Sequence, residues 1–115
     1  MSKPKYKLAL LTPAQRELEE IALVHRELVG LESARKITDL IYGALDHLQS
    51  HPHMGVACMD KILCLEGYRM LICGHYLCVY RLLGKTVFVY HIADSRANYT
   101  RLLADLPVQD DSGDD

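Results

Sequence analysis

The spacing of apolar residues along this chain changes twice. Residues 5–11 (KYKLALL) alternate charged and apolar positions before becoming continuously apolar, which is the pattern of a strand. From residue 12 the apolar positions take helical spacing. Ala14, Leu18, Ile21, Ala22 and Leu28 form a stripe that includes His25, with Arg16, Glu17, Glu19, Glu20, Arg26 and Glu27 mainly off it. Thr12, Pro13 and Gln15 supply a helix start, a Thr-x-x-Gln capping box with proline at the first helical position. Gly30 ends this helix. A second stripe of Ala34, Ile37, Leu40, Ile41, Ala44, Leu45 and Leu48 begins at Glu32 or Ser33. His51-Pro52 stops it, because a residue before proline disfavours the helical region. So short a connection makes the two helices an antiparallel hairpin.

Beyond Lys61 the period becomes that of strands. Tyr68–Cys73, Tyr76–Leu82 and Thr86–Ile92 are rich in Tyr, Val, Leu, Ile and Cys. Gly74-His75 and Leu83-Gly84-Lys85 separate them at hairpin length, which predicts a three-stranded antiparallel meander. Asn98–Ala104 fits a short last helix. The expected fold class is therefore α+β: an N-terminal strand, a helical hairpin and a meander. Residues 1–104 form the single domain, and 105–115 are expected to be an acidic, mobile tail. Both faces of the strands are apolar, with Tyr76, Cys78 and Tyr80 pointing one way and Leu77 and Val79 the other. One helical hairpin covers one face, so the other must meet the final segment, a partner or water. An uncovered apolar face is an interaction site more often than an accident.

Composition narrows the function classes. The chain has 115 residues, half of them hydrophobic, enough to build one core. Its uncharged stretch Met70–Tyr80 falls far short of the ~20 apolar residues a membrane span needs. No secretory leader opens the sequence, so a cytoplasmic protein without a membrane partner is expected. The net charge of −2 hides an asymmetry, since residues 105–115 carry five acids and no base. Residues 1–104 hold 13 bases against 10 acids, and residues 61–101 hold six bases against two acids. That field suits an anionic partner but is weaker than a dedicated duplex binder shows. Cys58, Cys64, Cys73 and Cys78 lack the paired spacing of a metal site, so free thiols, no metal and no cofactor are expected.

The motifs go further. Lys5-Tyr6-Lys7-Leu8 running through Leu11-Thr12-Pro13-Ala14 resembles the opening of the RelE/ParE superfamily of type II toxin–antitoxin toxins, a strand leading into "TPxA" and an acidic helix. Tyr68-Arg69-Met70-Leu71, Gly74-His75-Tyr76 and Tyr80-Arg81 are similar to its "YRxLxxGxYxxxYR" hairpin. Ile92, Asp94, Arg96, Tyr99 and Leu102-Leu103 resemble its closing "xIxDxRxxYxxLL" segment. The resemblance covers roughly residues 5–104. It implies a toxin neutralised by a cognate antitoxin.

Two mechanisms divide that superfamily: RelE-type members cleave mRNA on the ribosome, and ParE-type members poison DNA gyrase. Where the RelE pattern has an arginine in the middle strand, this chain has Leu77, and Arg69 is the only base on its own strand. Ribosome-directed toxins also need strong phosphate contacts. The resemblance therefore favours a ParE-like toxin directed at gyrase, with a metal-independent, ribosome-dependent mRNA endoribonuclease as the alternative. Attack of a 2′-hydroxyl on its own phosphate needs a base, an acid and cations on the developing charge. The candidates for that chemistry are His91, Arg69, Arg81, Arg96 and Tyr99, and the candidates for target binding in either mechanism are Arg69, Arg81 and Arg96. Arg81 has a plainer alternative, an ion pair with Asp94 or Glu66.

Overall fold

The computed structural model describes residues 6–58, 60–96, 103, 104, 106 and 107. β1 (Lys7–Leu10) leads into α1 (Thr12–Leu28), and α2 (Leu31–Ser50) returns antiparallel to it. β2 (Val56–Ala57) and the short α3 (Lys61–Leu65) precede β3 (Arg69–Cys73), β4 (Tyr76–Leu83) and β5 (Thr86–Asp94). The expected α+β order of strand, helical hairpin and antiparallel meander is present. The sheet is wider than the meander, however, with five strands in the order β1-β5-β4-β3-β2. β1 lies parallel to β5, placing Leu10 opposite Val89, and β2 adds two residues to the far edge against Met70 and Arg69.

Local chemistry explains most boundaries. Gly74 (φ +61°) and Gly84 (φ +62°) take the first central position of two-residue hairpin loops closed by Cys73–Tyr76 and Leu83–Thr86. A left-handed residue there is what a type II′ turn requires. Gly30, at φ +133°, breaks the chain between the two helices. The capping box expected at Thr12 does not form. Thr12 is already helical, no side chain caps the first turn, and Gln15 Nε2 donates instead to the Leu10 carbonyl at 2.7 Å. The helix depends on its packed stripe more than on its cap. α3, which the strand-like reading from Lys61 missed, has a true cap: Asp60 Oδ1 accepts from Leu63 N at 3.0 Å.

The core has two layers, one on each face of the sheet. On the hairpin face, Ala14, Leu18, Ile41, Leu45 and Leu48 pack on Leu71, Cys73, Cys78, Tyr80, Val87 and Val89. On the opposite face, Tyr68, Leu77, Val79 and Tyr90 pack with Cys58, Leu63 and Leu106, and Leu103 lies against them. The chain's own later residues therefore cover the face that the strand pattern left open. Leu103 and Ala104 are helical, while Asn98–Leu102 of the expected last helix, and residues 108–115 of the tail, lie outside the described residues. One irregularity sets which side chain meets which layer. Val79 pairs with His91 but Tyr80 pairs with Val89, so Tyr90 is an extra residue on β5. Tyr90 keeps the alternation of Phe88 and joins it in the second layer, and the bulge resets the phase so that Ile92 enters the first.

Candidate functional site

The three arginines expected to face a target sit in three different settings. Arg81 projects from β4 onto the second face, where its guanidinium carbon lies 4.5 Å from the Tyr68 ring centre and 5.5 Å from that of Tyr90. Its Nε donates to Tyr90 Oη at 2.9 Å, and its Nη1 donates to the carbonyl and the carboxylate of Glu66 at 3.3 and 3.2 Å. Burial works against this charge, but Tyr90 and Glu66 outweigh it and the net shift favours the cation. With 11% of its side chain exposed, Arg81 clamps the second layer from within. Of the two ion-pair partners open to it in the sequence, the fold selects Glu66.

Arg69 begins β3 on the hairpin face, opposite Tyr80. Its Nη2 donates to the His53 carbonyl at 3.3 Å, and its Nε is buried without a partner among the described residues. Beside it the Tyr80 hydroxyl donates to the Pro52 carbonyl at 2.8 Å and accepts from Gly55 N at 2.9 Å, tying the loop after α2 to the sheet. Arg96 follows the end of β5, at the opposite end of the strand from Phe88, the residue paired with Arg81. That separation is roughly 20 Å at ordinary strand rise. Its side chain is 85% exposed and grips Asp94 with two bonds of 3.0 and 2.9 Å. These bonds hold the Asp94 carboxyl well below the usual carboxylate range.

His91 lies where β5 has outrun β1. Its Nδ1 meets Glu17 of α1 at 3.1 and 3.3 Å, and the same carboxylate accepts the Ile92 N–H at 2.8 Å. A carboxylate at Nδ1 places the proton there and leaves Nε2 as the basic nitrogen. Among the described residues, nothing else that ribonucleolysis needs is gathered around it. Arg69 and Arg81 occupy opposite faces of the sheet, Arg96 is engaged at the strand end, and Tyr99 lies outside the described residues. Among the described residues no group of three or more His, Cys, Asp or Glu side chains is placed to hold a metal ion. All four cysteines are free thiols. Cys73 and Cys78 stand 3.7 Å apart, and their hydrogen bond favours thiolate character at Cys73 while pushing Cys78 up.

No local signal marks Glu17 as a strand-edge partner, because its interest lies in what it meets 74 residues later. Tyr68 and Tyr90 were visible as strand aromatics, but their convergence on Arg81 comes from how the strands pair. Two clefts flank the helical layer. One, of ≈ 360 Å³, runs between α1 and the end of β5. The other, of ≈ 440 Å³, runs between α2 and β3 past Leu40, Gly43 and Ile72. His25 closes off the hairpin near the first cleft, with Nδ1 3.0 Å from Ser33 Oγ and Nε2 2.9 Å from the Tyr76 hydroxyl.

Comparison with known proteins places this arrangement. Residues 8–99 match the family described as ParE toxin of type II toxin-antitoxin system, parDE. No curated protein sequence matches the chain. Among solved structures, it is similar to a chain of the chromosomal ParDE toxin–antitoxin system of P. aeruginosa, with a TM-score of 0.66 and 21% identity over 80% of this chain and 98% of that one. It is also similar to a chain of the toxin–antitoxin complex RelBE2 of Mycobacterium tuberculosis, with a TM-score of 0.54 and 18% identity over 78% of this chain and 98% of that one. At these identities the likeness to the solved structures is one of fold.

Proposed function

The chain belongs to the ParE toxin family of type II toxin–antitoxin systems, and from that premise we propose that it arrests growth by binding DNA gyrase and is neutralised by a cognate antitoxin. The observation that carries this reading is the dispersal of the cations and the histidine. A ribonuclease needs base, acid and phosphate-binding charge within reach of one scissile bond. Here Arg69 and Arg81 are turned to opposite faces, Arg96 is held by Asp94, and His91 is held by Glu17. A toxin that acts by occupying its target needs no such convergence. In this reading Arg96 is the cation available to an acidic or phosphate-bearing surface, with Arg69 second and Arg81 supporting the fold from inside.

The test compares two assays on the purified protein. Inhibition of gyrase supercoiling, with no mRNA cleavage in toeprinting on translating ribosomes, supports the proposal. Cleavage on ribosomes with gyrase unaffected overturns it in favour of the endoribonuclease. Within the gyrase reading, Arg96→Ala should relieve growth arrest, whereas His91→Gln should leave inhibition within about twofold, because His91 serves the strand edge.

A further inference from the structure

The backbone of β5 is left open where β1 stops. Ser95 N–H donates to the His75 carbonyl at 2.8 Å, and this fixes the phase of the β4–β5 ladder. In an antiparallel ladder the bonded pairs alternate, so Ala93 turns its backbone groups to β4, while Ile92 and Asp94 turn theirs outward. β1 is the strand on that side, but its last ladder partner is Val89, after which Pro13 and α1 carry the chain away. Glu17 takes up the Ile92 N–H. The Ile92 carbonyl and both backbone groups of Asp94 still face the α1–β5 cleft, and nothing among the described residues bonds them from across it. The spacing of a carbonyl at 92 and an N–H at 94 matches what one residue of an added parallel strand engages.

We propose that this cleft receives an extended segment of the antitoxin, which continues the line of β1 as a parallel strand on β5 and carries a Lys or Arg beside an apolar residue. The inference rests on the toxin–antitoxin reading above and adds where, and by what chemistry, the partner docks. Charge complementarity selects the occupant. The polar lining of the cleft consists of Glu17, Glu20, Asp94 and the Tyr76 hydroxyl, with no base, and its apolar wall is Ile21 and Val24. Glu17 and Asp94 are already engaged with the His91–Ile92 segment and Arg96, whereas Glu20 is exposed and has no partner among the described residues. The opposite cleft along α2 and β3 has both Asp39 and His47 on its rim and lacks this single-signed lining.

The experiment uses the full chain and the antitoxin encoded by the adjacent reading frame. Affinity is measured for the wild type, Glu20→Lys in the α1–β5 cleft and Ile72→Asp in the other cleft, and backbone hydrogen exchange is followed with and without antitoxin. The expected result is a loss of roughly tenfold or more for Glu20→Lys, larger at low salt. Ile72→Asp should stay near wild type, and the Asp94 amide should be protected in the complex. Full affinity of Glu20→Lys together with an Asp94 amide that exchanges as freely in the complex as in the free chain overturns the inference while leaving the antitoxin reading intact. No complex with any form of the chain overturns that reading itself. Protection of Asp94 that grows with concentration of the chain alone assigns the edge to a second copy and also overturns the proposal.

Discussion

Arg81 shows how a residue chosen for its charge can belong to the core. Its guanidinium spans two aromatic rings and three hydrogen bonds, and the groups around it are Tyr68 just before β3, Tyr90 of β5 and Glu66. Losing charged hydrogen bonds and ring contacts of this kind costs about 2–3 kcal/mol. Arg81→Ala should therefore lower the urea midpoint of unfolding by an amount corresponding to about 2–3 kcal/mol, so any loss of toxicity will follow loss of folded protein. Tyr68, under the same guanidinium, makes a pH prediction. Burial, with Tyr90 next, pushes its phenol well above the ordinary value of 10.0, and its hydroxyl donates to the Pro107 carbonyl. The unfolded chain then loses its proton first as pH rises, so native stability should decline above about pH 10. Urea titrations between pH 8 and 11 should show that decline, and Tyr68→Phe should make it shallower.

At the scale of elements, the two helix starts reverse what their sequences suggest. Thr12-Pro13-Ala14-Gln15 has the letters of a capping box and makes no side-chain cap, whereas Asp60, just ahead of a segment read as strand-like, accepts the Leu63 N–H. Removing a working N-cap typically costs about 1 kcal/mol. Thr12→Ala should thus be close to neutral, and Asp60→Ala should destabilise by about 1 kcal/mol, with chemical denaturation of the two variants side by side deciding. The difference comes from surroundings. α1 has two buried anchors, Ala14 and Leu18, and a neighbouring helix along its length, while the five-residue α3 has little besides its cap and Leu63.

For the molecule as a whole, the decisive contact is the return of the chain across the second face of the sheet. Leu106 is 6% exposed and packs in the layer of Tyr68, Leu77, Val79 and Tyr90. Truncating a buried leucine to alanine costs about 2–5 kcal/mol. Leu106→Ala should lower the melting temperature substantially and increase binding of a hydrophobic dye, because the uncovered layer is what the dye meets. A variant with unchanged melting and no added dye binding would show that this face needs no cover. Among the described residues both sheet faces are covered, which is why the proposed antitoxin strand is placed at the open edge of β5 and not on a face.

The sequence by itself determined the order of the first strand, the helical hairpin and the three-stranded meander, the hairpin turns at Gly74 and Gly84 and the family motifs, because each depends on residues a few positions apart. A 3.6-residue stripe, a strict alternation or a left-handed glycine acts on its immediate neighbours and is legible without the rest of the chain. The hairpin-side layer was readable for the same reason: Ile41, Leu45 and Leu48 announce the face they bury. Only the tertiary structure decided that β1 pairs parallel with β5, that Leu103 and Leu106 lie against the second face, that Glu66 holds Arg81 and that Glu17 holds His91. Those outcomes join residues from opposite ends of the fold, such as Lys7 and Thr86, and they are fixed by packing, by one bulge at Tyr90 and by the need to satisfy buried charge and open backbone. No local pattern encodes them, and they separate Arg81, buried in the second layer, from Arg96, exposed at the end of β5 and paired with Asp94.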